Sequence, residues 1–256
     1  MSPFTTRPVI MGTHGVVTSG HYLATAAGFR ILLQGGNAID AAVTMGLCLA
    51  LLEPQNNGLG GEVPTLVYSA KEKKVYAVSG MGWSPKAFTI EWCWQNGIDL
   101  IPGDGYLPAC VPAMIDTYSL ALARFGTLSF AQVAATAIDL AVNGYPVYTG
   151  LHNFLVNQRN RFTDHYPTTG KVYIVNGRAP EISEVIRNPD WAGALQKRVS
   201  AEAASTKGRV AGIEAARNVF YKGEIAERIV NFITRHPIVD ASGKVHTGLL
   251  TADDMT

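Results

Sequence analysis

Residues 35–61 constrain the fold more than any other part of the chain, because several structural signals follow one another there. The stretch begins with two glycines, which favour the left-handed backbone that ends a helix. Asn37 is a favourable N-cap for a second helix, and the carboxylate of Asp40 suits the positive end of that helix's dipole. Residues 38–52 are then apolar on almost every face, which predicts a helix buried at the centre of a protein core.

Length and charge favour a soluble protein without a nucleic-acid or membrane partner. The apolar run 38–52 ends at Glu53 and Pro54, so it is shorter than the roughly 20 residues that span about 30 Å of hydrocarbon. A formal net charge of +1 and 16% charged residues give no electrostatic footprint for nucleic acid or a membrane surface. We expect the 256 residues to form a single domain over 1–256.

The cysteines and the N-terminal residues indicate a reducing compartment. Cys48, Cys93 and Cys110 fit neither a zinc pattern nor an even-numbered disulfide framework, so we expect buried or half-buried thiols. After Pro8, only residues 9–11 form an apolar run, which is too short for the core of a secretory signal. We therefore predict a cytoplasmic protein.

The spacing of apolar residues predicts an α+β fold, with strands early and helices late. Besides the central helix, the pattern predicts helices 23–33, 113–124 and 129–143, and a hairpin of strands 65–69 and 74–79. Residues 146–187 are expected to be rich in loops, and the segment 188–197 is too short to assign. Residues 214–235 are predicted to be helical with an interruption at 221–223.

The sequence carries no self-sufficient set of catalytic or metal-binding residues. It contains no serine elbow, no P-loop and no histidine pair at metal spacing, and we interpret His14 and His21 as solvated or structural. A dinucleotide role for the glycines at 58–61 is weakly supported, because this loop follows a helix and enters a strand, the reverse of a Rossmann loop. A sharp turn, a backbone anion nest and a substrate-lining role all remain open for it.

Motifs spread over nearly the whole chain resemble one known family. They are GVVTSGHYLAT at 15–25, GGNAIDAAV at 35–43, EPQNNGLGG at 53–61, VPA at 111–113, ARFGTL at 123–128, AIDLAVNGYPV at 137–147, FYKGEIA at 220–226 and LTADDM at 250–255. In this order they resemble the large subunit of the gamma-glutamyltranspeptidase family, whose members are N-terminal-nucleophile hydrolases. The resemblance implies the large-subunit portion of a four-layer αββα fold.

The resemblance also implies where the chemistry lies. Family members are precursors that cut themselves to expose a threonine at the start of a small subunit, and this threonine attacks an amide carbonyl. It lies beyond the segment resembling 250–255, so we expect the catalytic residues on a small-subunit partner and none in this chain. Thr256 is a poor candidate because a C-terminal residue has no free α-amino group. No cofactor or metal is implied, and a dimer of such heterodimers is compatible with the family.

One departure from the family concerns substrate recognition. Members that act on glutathione carry an arginine that grips the α-carboxylate of the γ-glutamyl group, and counting back from Pro85 places Met81 at that position. Losing a charge-assisted, bidentate contact removes about 1.5–3 kcal/mol. We therefore expect an apolar substrate-binding wall, or else ordinary core packing of Met81 and Trp83. The residues expected to bind substrate are Met81, Trp83, Asn57, Gly58, Gly60 and Gly61.

Three functional hypotheses follow. The first is the large subunit of an amidohydrolase or acylase that cleaves a small amide, such as an oxamate-like amide or the acyl side-chain amide of a cephalosporin. The second is a gamma-glutamyltransferase or glutathione hydrolase in which another arginine substitutes, the available ones being Arg124, Arg159, Arg161 and Arg178. The third is a non-catalytic scaffold that retains only the fold.

Overall fold

The structure is a computed structural model that describes residues 9–255. Predictions that involve Thr256 or the residues up to Pro8 lie outside this range. The helices are α1 (Tyr22–Leu33), α2 (Ala38–Leu52), α3 (Ile90–Gln95), α4 (Met114–Phe125), α5 (Phe130–Asn143), α6 (Thr149–Asp164), α7 (Pro167–Tyr173), α8 (Pro189–Ala204), α9 (Arg209–Tyr221) and α10 (Glu224–Arg235). The strands are β1 (Thr65–Ser69), β2 (Lys74–Val78), β3 (Tyr145–Pro146), β4 (Val185–Ile186), β5 (Ile238–Val239) and β6 (Val245–His246).

Helix α2 is the centre of the core, as predicted. Only Ala38 and Ala42 are exposed, and the other faces pack against α1, α4 and α5. Its burial raises the pKa of the Cys48 thiol to about 12. The other two cysteines are partly buried, so the expectation of free, buried or half-buried thiols is confirmed. None of the helices within residues 9–255 is long and apolar enough to cross a membrane.

Asp40 ties the start of α2 to the loop between α4 and α5. It completes a capping box with Asn37, which confirms the predicted helix start. Its buried carboxylate also accepts hydrogen bonds from the backbone N–H and the hydroxyl of Thr127, at 2.9 and 2.6 Å, and from Leu128 N–H at 3.1 Å. The amide of Asn37 donates to the Phe125 carbonyl at 2.7 Å. Asp40 therefore does more than complement the helix dipole.

The predicted hairpin is confirmed, and it is apolar on both faces. Strands β1 and β2 pair antiparallel with Val67 opposite Tyr76, and Val67 is buried against the rest of the chain. On the opposite face, Leu66 is 77% and Tyr68 is 64% exposed, and their partners across the ladder, Ala77 and Val75, are exposed as well. Within residues 9–255, no further strand pairs with this hairpin.

The helical assignments were wrong where burial is slight. Residues 146–187 contain α6 and α7, although they were expected to be loop-rich, because α6 fully buries only Leu151 and Leu155 and carries mostly polar residues elsewhere. Helix α8 extends well beyond 188–197, and α3, capped by Thr89, was not predicted. The break at 221–223 is confirmed, since α9 ends at Tyr221 and α10 begins at Glu224.

Candidate substrate-binding site

Three segments that are distant in sequence meet at the candidate site: residues 58–63, 80–83 and 111–114. In the first, Gly61 N–H donates to the Gly58 carbonyl at 2.8 Å, which closes a tight turn. The Gly61 carbonyl then accepts hydrogen bonds from Met114 N–H at 2.9 Å and from Ala113 N–H at 3.3 Å. The glycine loop is thereby fastened to the beginning of α4.

Residues 80–83 are held by backbone contacts on both sides. The Gly80 carbonyl accepts a hydrogen bond from Val63 N–H at 2.8 Å, and the Trp83 carbonyl accepts one from Val111 N–H at 2.9 Å. The backbones approach so closely that a Cβ at Gly82 would lie 1.7 Å from the Val111 carbonyl oxygen. Gly80 has a φ of +60°, which other residues rarely adopt. The close approach and the turn therefore both require glycine.

Met81 and Trp83 project from this clamped backbone into solvent. Met81 is 56% and Trp83 is 85% exposed, although Gly80 and Pro85 on either side of them are buried. Core packing of the two side chains within this chain is therefore wrong. A fixed backbone that carries free apolar side chains loses little conformational entropy on binding, which makes it a suitable wall for an apolar ligand group.

The other predicted substrate-binding residues lie in the turn before β1. Asn57 donates through Nδ2 to the Glu53 carbonyl at 3.2 Å, whereas its buried Oδ1 has no hydrogen-bond partner. A Cβ at Gly58 would meet no atom within 4 Å, and Gly60 is exposed. The loop leaves α2 and leads to β1, so it lacks the order of a dinucleotide-binding loop. Its contact with substrate stays a prediction.

His21 has a structural role at the start of α1, and His14 is exposed to solvent. His21 caps α1, and because its Nδ1 accepts a hydrogen bond from Leu23 N–H at 3.2 Å, the ring proton lies on Nε2. Burial lowers the pKa of His21, against the opposing effect of Glu53, so the ring is neutral at pH 7. His14 is exposed and bonds to Thr13. No cluster of three or more potential metal ligands exists in the part of the chain that the structure describes.

The arginines considered as substitutes for the family arginine have other partners. Arg161 pairs with Asp104 at 2.6 Å and Arg178 with Glu184 at 2.7 Å. Arg124 stacks on the ring of Tyr76, 4.4 Å from its centroid. Arg159 bonds to its neighbour, Asn160. Each guanidinium would have to leave these contacts to hold a substrate carboxylate.

Sequence reasoning missed the residues that hold the Met81–Trp83 backbone in place. Val111 contacts this segment through its backbone, and no side-chain pattern reveals such a contact. Asp254 was noticed as part of a family motif but not as a partner of Lys86, whose backbone N–H it accepts at 3.1 Å. The spacing of Thr251 and Asp254 is typical of a side-chain-capped turn, but it does not indicate which distant segment the turn contacts.

Alanine substitutions of Gly82 and Gly58 distinguish a glycine required for backbone packing from one that contacts substrate. We expect Gly82→Ala to lower the free energy of unfolding by about 1–3 kcal/mol, because its Cβ overlaps the Val111 carbonyl. Gly58→Ala has open space and should change the free energy by less than about 0.5 kcal/mol. Urea titration measures both. Equal stabilities for the two variants would contradict the close approach at Gly82, and an activity loss confined to Gly58→Ala would support substrate contact there.

Comparisons with known proteins agree with this architecture. A family model described as Gamma-glutamyltranspeptidase matches residues 24–256. The glutathione hydrolase-like YwrD proenzyme of Bacillus subtilis (strain 168) is 35% identical over 225 residues, which cover 88% of this chain and 40% of that protein. The solved structure of LmbA2991HD superposes with a TM-score of 0.92 at 38% identity, over 98% of this chain and 43% of the other. Cephalosporin acylase from Bacillus halodurans superposes with a TM-score of 0.74 at 30% identity, over 91% of this chain and 40% of the other.

The chain thus spans about two fifths of the length of these relatives. Their agreement in fold confirms the predicted α+β fold, which this chain shares with the matching part of the cephalosporin acylase. The family model covers nearly all of the residues that carry the core helix, the hairpin and the candidate site. The chain belongs to the gamma-glutamyltranspeptidase family.

Proposed function

We propose that the full-length protein is a self-processing amidohydrolase or acylase that cleaves a small amide with an uncharged acyl group. The observation that carries this proposal is the exposed pair Met81 and Trp83 on a clamped backbone, at the place where the family's glutathione-cleaving members carry an arginine. Similarity to a cephalosporin acylase supports it. A cytoplasmic location is proposed with it, on the three free cysteines.

In this proposal the chain binds and orients the acyl group, and a threonine at the start of the small subunit reacts with it. The threonine hydroxyl attacks the amide carbonyl, and its α-amino group takes the proton, which suits an amine whose unperturbed pKa is about 7.7–8.0. The amine product leaves with that proton, and an ester remains on the threonine. Water then releases the acid. The apolar wall contributes by excluding water from the acyl group and fixing its orientation.

A small-subunit partner is part of the proposal, and the exposed apolar faces support it. The outward face of the hairpin is formed by Leu66 and Tyr68 with their cross-strand partners. Helix α1 buries one face on α2, yet Phe29 and Leu33 are exposed on another. Elements that are apolar on two faces normally lie between two layers. We expect the small subunit to supply the second layer.

The substrate preference can be tested with a panel of amides and the substitution Met81→Arg. The processed wild-type protein should release acid from simple acyl amides and hardly cleave γ-glutamyl anilides. Met81→Arg restores a donor for the α-carboxylate, so γ-glutamyl cleavage should rise about tenfold to hundredfold. Met81→Leu is the matched control, because it keeps an apolar side chain of similar size. Efficient γ-glutamyl cleavage by the wild type would overturn the proposed preference.

Gamma-glutamyl hydrolysis or transfer is the second candidate. The similarity to a glutathione hydrolase-like proenzyme favours it. It requires one of the paired arginines to turn toward the substrate, and Arg124 is the one whose partner is an aromatic ring rather than a carboxylate. If the wild type cleaves γ-glutamyl anilides and Arg124→Ala abolishes this activity, the second candidate replaces the first.

A further inference from the structure

We propose that Asp254 is a positioning residue that holds the Met81–Trp83 segment in its binding conformation. The inference rests on the proposed function, since it assigns these two side chains to the acyl group. The carboxylate of Asp254 lies at a turn far away in sequence. It accepts the backbone N–H of Lys86 at 3.1 Å through Oδ1. Through Oδ2 it accepts the N–H and the hydroxyl of Thr251, both at 2.8 Å.

The carboxylate is the side-chain anchor among the three contacts that hold this segment. The hydrogen bonds from Val63 to Gly80 and from Val111 to Trp83 join backbone atoms. The Lys86 ammonium adds a second link to the same turn by donating to the Asp253 carbonyl at 3.0 Å. The two backbone contacts hold residues 80 and 83, and Asp254 holds the backbone three residues further on, at Lys86. Without Asp254, the backbone at Lys86 loses its hydrogen bond to the turn, and the flexible Lys86 side chain is left to hold it there.

The turn that carries Asp254 is itself rigidly placed. The next residue, Met255, is 1% exposed and belongs to a small core cluster with Ile115, Phe220 and Tyr221. That cluster joins α4 to α9, and α4 also carries the glycine loop on its first residues. Asp254 therefore connects residues 81–83 to α4, the same helix that positions Gly58–Gly61. Helix α4 thus holds both the glycine loop and the Met81–Trp83 segment in place.

The charge of Asp254 strengthens the contact. Burial alone would raise the pKa of the carboxyl, but the hydrogen bonds from Lys86 and Thr251 outweigh it, so the pKa is lowered. A lowered pKa means that the contact stabilises the folded segment above the ordinary carboxyl pKa of about 3.9 and is lost as the pH falls through the depressed value. At neutral pH the carboxylate is charged and holds three donors at once.

Substitution of Asp254 in the full-length protein tests the proposal. Asp254→Ala removes the acceptor, and we expect KM for an apolar acyl amide to rise about tenfold while kcat changes less than about twofold. Asp254→Asn keeps one carbonyl oxygen for Lys86 N–H and should recover most of the KM. The exposed Asp139→Ala on α5 is the charge-matched control. An equal fall in kcat for all substrates, or an unchanged KM in Asp254→Ala, would overturn the positioning role.

Hydrogen exchange separates this proposal from the proposed function. In Asp254→Ala, the amides of Lys86 and Val111, which donate to Asp254 and to the Trp83 carbonyl, should exchange about tenfold faster, whereas those of α2 should keep their protection. If the wild type cleaves no amide but this local acceleration is seen, the proposed function fails and the structural role of Asp254 stands. If exchange at Lys86 and Val111 is unchanged, the positioning role is wrong whatever the activity. A loss of protection in α2 as well would show general destabilisation and would also contradict it.

Discussion

Asp40→Asn is expected to lower the free energy of unfolding by about 3–5 kcal/mol, a large part of the stability of a typical domain. The carboxylate accepts hydrogen bonds from Asn37, Thr127 and Leu128 while it is fully buried. An amide has one acceptor oxygen, and its NH2 group would face N–H donors. Both the start of α2 and the loop before α5 should loosen, and urea titration measures the loss.

The contribution of the Asp40 carboxylate to the free energy of unfolding depends on pH. Burial by itself would raise the pKa of Asp40, but the hydrogen bonds from Thr127, Asn37 and Leu128 outweigh it and lower the pKa. The contribution is therefore fully present above the unfolded carboxyl pKa of about 3.9, and it is lost as the pH falls through the folded value. The difference in stability between the wild type and Asp40→Asn should be constant near neutral pH and shrink in acid.

The control for this prediction is Asp139→Asn, which removes the same charge from an exposed position on α5. It should change the free energy of unfolding by less than about 0.5 kcal/mol. An Asp40→Asn protein as stable as the control would contradict the assignment of Asp40 as the tie between α2 and the 126–128 loop. A difference that grows in acid would contradict the sign of the pKa shift.

The second large effect is expected from Leu66→Asp combined with Tyr68→Asp. Within residues 9–255 the outward face of the hairpin is uncovered, and in the proposed assembly it packs against the small subunit. Two unpaired carboxylates in that interface should weaken association by at least about 4 kcal/mol, or roughly a thousandfold. The full-length variant should therefore fail to mature or lose its activity. Gel electrophoresis of the processed chains and amide hydrolysis report the two outcomes.

A matched control keeps this result interpretable. Val210 is an exposed apolar residue on α9, away from the hairpin in sequence, and Val210→Asp introduces the same kind of charge. It should mature and cleave amides as the wild type does. Unfolding of the double variant would be a different cause of lost activity, and circular dichroism tests for it. Leu66 and Tyr68 are exposed in this chain, so their substitution should leave the helical circular dichroism signal unchanged. Normal maturation of the double variant would show that the hairpin face is not part of the interface.

Several elements could be predicted because their causes are local. The glycine at 35 adopts a φ of +89°, Asn37 caps α2, and the apolar run makes α2 the core, all as expected from neighbouring residues. Helix α5 likewise begins at its Ser129 cap. Helix α6 was missed although Leu151, Phe154 and Leu155 stand at helical spacing, because most of its residues are polar and face solvent.

The candidate site, too, could be predicted from the sequence only in part. The glycine loop and the substitution at Met81 are visible in the sequence, and both are candidates on chemical grounds. Whether Met81 and Trp83 are buried or exposed could not be predicted, because it depends on contacts with Val63 and Val111 that are remote in sequence. The partners of Arg161 and Arg124 could not be predicted for the same reason.

The amino-acid sequence by itself determined the family, the buried central helix and the hairpin, because short motifs, caps and periodicity report local chemistry. Only the tertiary structure decided that Asp40 joins two helices, that Met81 and Trp83 are presented to solvent on a clamped backbone, and that Asp254 supports them. These properties arise from hydrogen bonds between residues 17 to 168 positions apart and from close backbone approach, and nothing in a local pattern specifies the partner.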